Sequence, residues 1–335
     1  MMFQPAVLAL LFAAMATAGL TAVAALFGLR ILLRWNLASG GALQLSLERQ
    51  TYLVSTLLGI ALTAELLSLL LFVFNADRMA TLFTGAMCAV GTLNANQFGF
   101  PALMLKVGLF FLAAVWLILN YVDNRGYDYP LIRPKYALLL LLAPLAAIAA
   151  ATEILYFKNL KADVITSCCG SLFSPEAEAV TADLAGMAPG AALGLFYAAL
   201  AGAVLLGLAH WRSGRFGYSL ATAGGLAFIA TMIAVISVVS PYIYEHPNHH
   251  CPFCILKPEY WHVGYLIYVP LFAGTASALG IGAVRPFRKK ASLAAVIPGL
   301  SRNMAGFSAL MFLAVGLAAG MLMLNSRLIL FEAGS

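Results

Sequence analysis

TYLVSTLLGIALTAELLSLLLFVF, residues 51–74, carries one charged side chain, Glu65, in 24 positions. A helix needs about 20 apolar residues to cross a hydrocarbon core of ~30 Å, so this run is long enough to span a membrane. Seven other runs read the same way: 6–32, 100–121, 136–157, 190–211, 220–244, 262–284 and 304–324. The first has the small residues of a cleavage site around Ala16–Ala18. It has no basic segment before it and is too long for the apolar part of a secretory signal, so it reads as a span. The fold class expected is all-α: a polytopic integral membrane protein of about eight transmembrane helices.

Composition agrees. Of 335 residues, 63% are hydrophobic and 10% charged, with a mean hydropathy of +0.94. A soluble domain carries about 25% charged residues, and so few charges cannot make a water-facing surface. The formal charge of +6 therefore does not point to nucleic acid, and no nucleic-acid module, phosphate-binding glycine loop, serine triad or HExxH is present. No connection is large enough for a separate domain, so residues 1–335 read as one membrane domain with the lipid bilayer as its main partner.

The basic residues report topology. Connections after the first, third, fifth and seventh spans hold 13 of them, from Arg30 to Arg302, and the opposite side holds Arg78, Lys158, Lys161, Lys257 and Arg327. Positive loops stay cytoplasmic. The expectation is a multi-pass protein of a bacterial cytoplasmic (inner) membrane with both termini extracytoplasmic. Cys88, Cys168, Cys169, Cys251 and Cys254 then all fall in extracytoplasmic connections, where disulfide chemistry is allowed.

A repeat is suggested by the entry tyrosines Tyr52, Tyr136 and Tyr218, and by Cys88, Cys168 and Cys251 as the first cysteines of successive outer connections. It would divide the chain into tandem helical hairpins 48–125, 133–212 and 213–288, flanked by helices 6–32 and 304–324. The competing reading is that two-span hairpins with short connections recur at this spacing anyway.

The most informative short stretch is HHCPFCILKPEYWH, residues 249–262. A CxxC pair can close a disulfide or share a metal. Cys251-Pro252-Phe253-Cys254 resembles the CPYC-type motif of glutaredoxin-like thiol exchangers, a resemblance of four residues that implies exchange chemistry and no fold. His246, His249 and His250 stand nearby, to lower a thiolate pKa or to ligate. Ile255 follows Cys254, so covalent haem attachment through CxxCH is excluded. The vicinal pair Cys168–Cys169 could close only a strained ring, and is better suited to separate partners or a soft metal. Cys88 is left over. An odd cysteine count leaves at least one thiol outside any internal disulfide framework.

Three ionisable residues interrupt the spans: Glu65, Lys106 and Glu153. Each is costly in hydrocarbon unless paired or facing a cavity. Lys106 would neutralise one glutamate and leave the other for a proton, a cation or a quinone; the alternative is a helix-bundling ion pair plus a snorkelling end residue. Other polar features read as structural. Tyr242, Tyr244, Tyr260, Trp261 and Tyr265 form an interfacial aromatic belt. His262 caps or lies at the interface, and His210 is solvated. Asp123, Arg125 and Asp128 make a polar turn, and Arg285–Lys290 anchors anionic lipid. Residues 175–187 are expected to form a short amphipathic helix.

The expected function is a membrane thiol–disulfide oxidoreductase or electron relay. Its site residues would be Cys251, Cys254, Cys168, Cys169, Cys88, Glu65 and Glu153, with a quinone as possible cofactor and a periplasmic thiol protein as partner. Two cysteine loops on one face of a helical bundle resemble the quinone-linked disulfide-forming membrane proteins in logic, without extended similarity. Two alternatives stay open: soft-metal (copper, zinc or mercury) binding or transport with His249, His250, Cys251 and Cys254 as ligands, and a structural subunit of a respiratory or assembly complex.

Overall fold

The computed structural model describes residues 2–161 and 186–330. All its regular structure in that range is helical, and eight helices are long and apolar enough to cross a membrane. In order, α1 is Pro5–Arg34, α2 Ala42–Met79, α3 Ala89–Leu93, α4 Gly99–Asp123 and α5 Ile132–Lys158. There follow α6 Pro189–Ser213, α7 Gly217–Ala234, a π-helical turn Val235–Val239, α8 Ser240–Tyr244, α9 Gly264–Val284 and α10 Val296–Leu324. The expected spans all fall on these helices. The largest extension is in the second, where helix runs over Ala42–Leu82. The protein is a multi-pass membrane protein whose apolar helix surfaces meet lipid. Leu26, Leu53, Ile60, Leu67, Leu226 and Leu310 are all exposed on helix surfaces, which suits hydrocarbon and not water.

The chain divides into two compact units. Unit 1 comprises the described parts of Met1–Asn75, Leu93–Lys161 and Pro286–Pro298. Here α5 packs along α1 and α4. The core is Phe27, Ile31, Leu58, Leu62, Leu109, Trp116, Tyr136 and Leu139. Small residues let the helices approach: a Cβ on Gly28 would lie 3.0 Å from the Tyr136 ring. Thr17 Oγ1 donates to the Ala61 carbonyl at 3.4 Å, a polar tie between α1 and α2.

One end of unit 1 is fixed by a buried ion pair. Lys135 Nζ lies 2.7 Å from Asp123 Oδ2, and Asp123 Oδ1 accepts the Leu131 amide at 2.8 Å. This corrects two readings. Asp123 belongs to a buried network and not simply to a polar turn, and Lys135, one of the 13 basic residues counted above in connections, is buried within α5.

Unit 2 comprises the described parts of Ala76–Thr92, Ala162–Arg285 and Gly299–Ser335. Here α7 packs against α6 and α9 around Phe196, Leu200, Ala227, Val235, Val239, Ile267, Leu271, Phe312 and Val315. A Cβ on Gly224 would stand 2.6 Å from the Ala278 methyl, so α7 and α9 meet almost backbone to backbone. His210 is buried, with Nε2 3.3 Å from Ser301 Oγ, so the reading of a solvated histidine is wrong. The sequence put it at a span end; the packing of α6 against the Ser301 turn of α10 covers it.

Candidate functional site

Unit 2 draws three cysteines together. Cys88 precedes α3; Cys251 and Cys254 lie in the connection between α8 and α9. Their sulfurs all fall within 4.8 Å of one another, and all three residues are buried. Cys88 Sγ and Cys251 Sγ are 3.4 Å apart, a contact that bridges 163 positions of sequence. Cys254, the CxxC partner, completes the group within the same 4.8 Å.

Local hydrogen bonds tie the cysteine connection to its neighbours. The Cys251 carbonyl accepts from Tyr244 Oη at 2.5 Å and from Ser240 Oγ at 3.2 Å, and the Pro252 carbonyl accepts from Tyr268 Oη at 2.7 Å. These satisfy backbone acceptors that would otherwise be buried without donors. Cys254–Leu256 forms a turn of 3₁₀ helix, and Ile255 packs into the unit 2 core. Two further bonds tie the Cys88 segment. Lys257 Nζ donates to the Met87 carbonyl at 2.8 Å, and the Ala89 amide donates to Asp77 Oδ1 at 3.3 Å. Lys257 thus holds the residue before Cys88 from a position three residues after Cys254.

The histidines take other places. His250 Nδ1 donates to the Ile236 carbonyl at 2.9 Å, inside the π-helical turn, a distortion common near functional sites. The His249 ring lies 4.1 Å from that of Tyr244. Neither ring joins the group of sulfurs, so among the described residues the cluster of candidate metal ligands is Cys88, Cys251 and Cys254. His262 Nδ1 donates to the Leu256 carbonyl at 2.6 Å. Tyr260 stacks edge-on to Tyr244 at 4.6 Å; partial burial, and then the neighbouring Cys254, push its hydroxyl above its ordinary pKa, so it stays a neutral donor at physiological pH.

Cys168 and Cys169, and most of the stretch 175–187, lie outside the described residues. Glu65 and Glu153, the other expected site residues, meet each other through Lys106 in unit 1. Tyr244 is more than a belt residue, since its hydroxyl holds a cysteine carbonyl. Lys257, Ser240 and Tyr268 were not singled out from sequence. Of these only Tyr268 left a signal, as a phenol within an apolar run two residues before Pro270.

Three buried thiols at this spacing can do two things. They can pass a disulfide bond among themselves, or they can bind one soft ion as thiolates. No protein-family model matches the chain, and neither curated proteins nor solved structures give a match.

Proposed function

We propose that the protein is a membrane thiol–disulfide relay whose working sulfurs are Cys88, Cys251 and Cys254. The observation that carries this reading is the 3.4 Å approach of Cys88 Sγ to Cys251 Sγ beside the CxxC partner. Exchange proceeds by attack of a thiolate on a disulfide sulfur. Starting from a Cys251–Cys254 disulfide, the Cys88 thiolate attacks Cys251 Sγ. The Cys88–Cys251 bond forms, the bond to Cys254 breaks, and Cys254 leaves as the thiolate. That step moves the disulfide without net oxidation.

Net turnover needs a donor and an acceptor. A soluble thiol protein would give up two electrons and two protons as its dithiol closes, and a quinone in the bilayer would take them to become the quinol. The basic-residue asymmetry supports cysteine connections on the extracytoplasmic side of a bacterial inner membrane. With Lys135 set aside as a buried partner of Asp123, the asymmetry still holds. Cys168 and Cys169 would be the next sulfurs in the chain of exchange.

A second reading has its own observation. Three sulfurs within 4.8 Å of one another, buried together, suit a three-thiolate site for copper(I) or another soft ion. Zinc prefers four ligands and would need a fourth from outside this group.

Cys254→Ser separates the two. In a relay the variant, given a thiol oxidant that takes up the two electrons and two protons, accumulates a reducible Cys88–Cys251 cross-link, read by mass spectrometry of unreduced peptides. Stoichiometric copper on the purified wild type, with no such cross-link in the variant, would replace the relay by the metal site.

A further inference from the structure

Unit 1 contains no cysteine, yet it holds a second buried centre. Lys106 Nζ on α4 lies 3.0 Å from Glu65 Oε1 and 3.0 Å from Ser68 Oγ, both on α2, and 3.0 Å from Glu153 Oε2 on α5. The Glu65 and Ser68 contacts are aimed hydrogen bonds, while Glu153 is held by charge at an angle that makes none. All three ionisable residues are at most 3% exposed. Two of the three ammonium N–H groups are thus used on Glu65 and Ser68. Because both carboxylate oxygens lie 3.0 Å from one nitrogen, they are no more than 6 Å apart.

The charges do not balance. Two carboxylates against one ammonium leave an excess negative charge inside the bilayer. Within the spans no further charged side chain is present; beyond them, Lys158 is exposed at the end of α5, and Asp77 and the exposed Arg78 lie at the end of α2. Between Pro5 and Leu29 of α1, Thr51 and Ala76 of α2, Gly99 and Val122 of α4, and Tyr136 and Phe157 of α5, the charged residues are Glu65, Lys106 and Glu153 alone. The remaining titratable groups there are tyrosines, with Tyr156 closest in sequence to Glu153 and its ring 5.8 Å from that of Phe72. The Asp123–Lys135 pair is self-neutral and lies 17 residues along α4 from Lys106, about 25 Å by helical rise. Meanwhile Glu65 Oε2 and Glu153 Oε1 are buried with no hydrogen-bond partner.

We infer that this centre is a binding site for a single proton, shared by Glu65 and Glu153 and kept in place by the Lys106 ammonium. A buried carboxylate whose charge is uncompensated takes a proton in preference to staying ionised. One proton brings the triad to neutrality; a second would leave Lys106 uncompensated. The charge count therefore favours the form with one bound proton.

The test is infrared spectroscopy of the intact protein in lipid nanodiscs, with the glutamate carboxyl carbons isotopically labelled. At neutral pH the exposed glutamates are ionised, since their ordinary pKa is about 4.3. The expected result is the absorption of one un-ionised glutamic acid per chain, unchanged when sodium replaces potassium. Glu65→Gln and Glu153→Gln should each abolish it, because either leaves one carboxylate matched to Lys106. Lys106→Met should double it. No such band in the wild type, or a band suppressed by sodium, would overturn the proton site, the latter in favour of a metal cation. A band that survives either glutamine substitution would overturn the sharing. The wild-type spectrum decides even if a variant fails to fold.

Discussion

Replacing Lys257 by methionine tests whether the two cysteine segments are held together or merely meet. Its Nζ donates to the Met87 carbonyl at 2.8 Å, one residue before Cys88, while its own backbone follows the CPFC turn. A hydrogen bond from a charged donor contributes about 1.5–3 kcal/mol when buried. The Lys257 side chain is 24% exposed and also lies 3.9 Å from Glu259, so solvent and a second partner reduce that to about 1 kcal/mol. Methionine keeps the apolar stem and removes only the tie. A loss of about 1 kcal/mol lowers the population with Cys88 against Cys251 roughly fivefold. In the Cys254→Ser background, Cys88–Cys251 cross-linking under a mild thiol oxidant should slow by that factor. Lys257→Arg, which can still donate, should restore most of the rate. Thermal unfolding should barely move, since one partly exposed bond is lost. An unchanged rate in Lys257→Met would refute the reasoning: the two segments would then be positioned by packing of the unit 2 core alone.

Asp123→Asn should destabilise unit 1 by about 3–5 kcal/mol in unfolding titrations, because Lys135 loses its buried counter-charge while Asn keeps the bond from the Leu131 amide. Adding Lys135→Met should recover most of that loss, and additive losses would remove the pairing argument. Gly264→Ala should cost about 1–3 kcal/mol, since its Cβ would stand 2.8 Å from Ile255 Cγ1 and from Leu256 Cδ2 and press on the CPFC turn; a variant as stable as the wild type would show that the turn yields freely.

The spans were legible because a bilayer demands a long apolar run and nothing else resembles one. What lay hidden was which face of each helix turns inward. In a soluble helix the polar face marks the outside. Here α7 and α9 are apolar all round, and Leu226 in lipid looks like Leu271 in the core. Polar residues then carry the information about contacts, and they state it ambiguously. Lys106 was expected to neutralise one glutamate; that it touches both depends on the positions of α2, α4 and α5 together, which no local pattern encodes. His210 and Lys135 failed the same way, since a span end can be wetted or covered by the next helix.

The cysteines show the limit most clearly. From spacing, Cys88 was the remainder after two pairs, and CxxC was complete in itself. The fold sets Cys88 Sγ 3.4 Å from Cys251 Sγ and gives the CxxC pair a third sulfur. The consequence is chemical. A two-sulfur motif can only open and close, whereas a third sulfur lets the bond move without leaving the protein. Burial of all three then matters, because a disulfide passed between buried sulfurs is shielded from adventitious thiols during transfer. Under the proposed relay, the same burial calls for another cysteine to meet a soluble partner, and the chain has two more, Cys168 and Cys169. If those two are the entry point, changing both to serine should leave the Cys88–Cys251 cross-link of the Cys254→Ser protein intact under a small oxidant, yet abolish its formation when the oxidant is a protein disulfide.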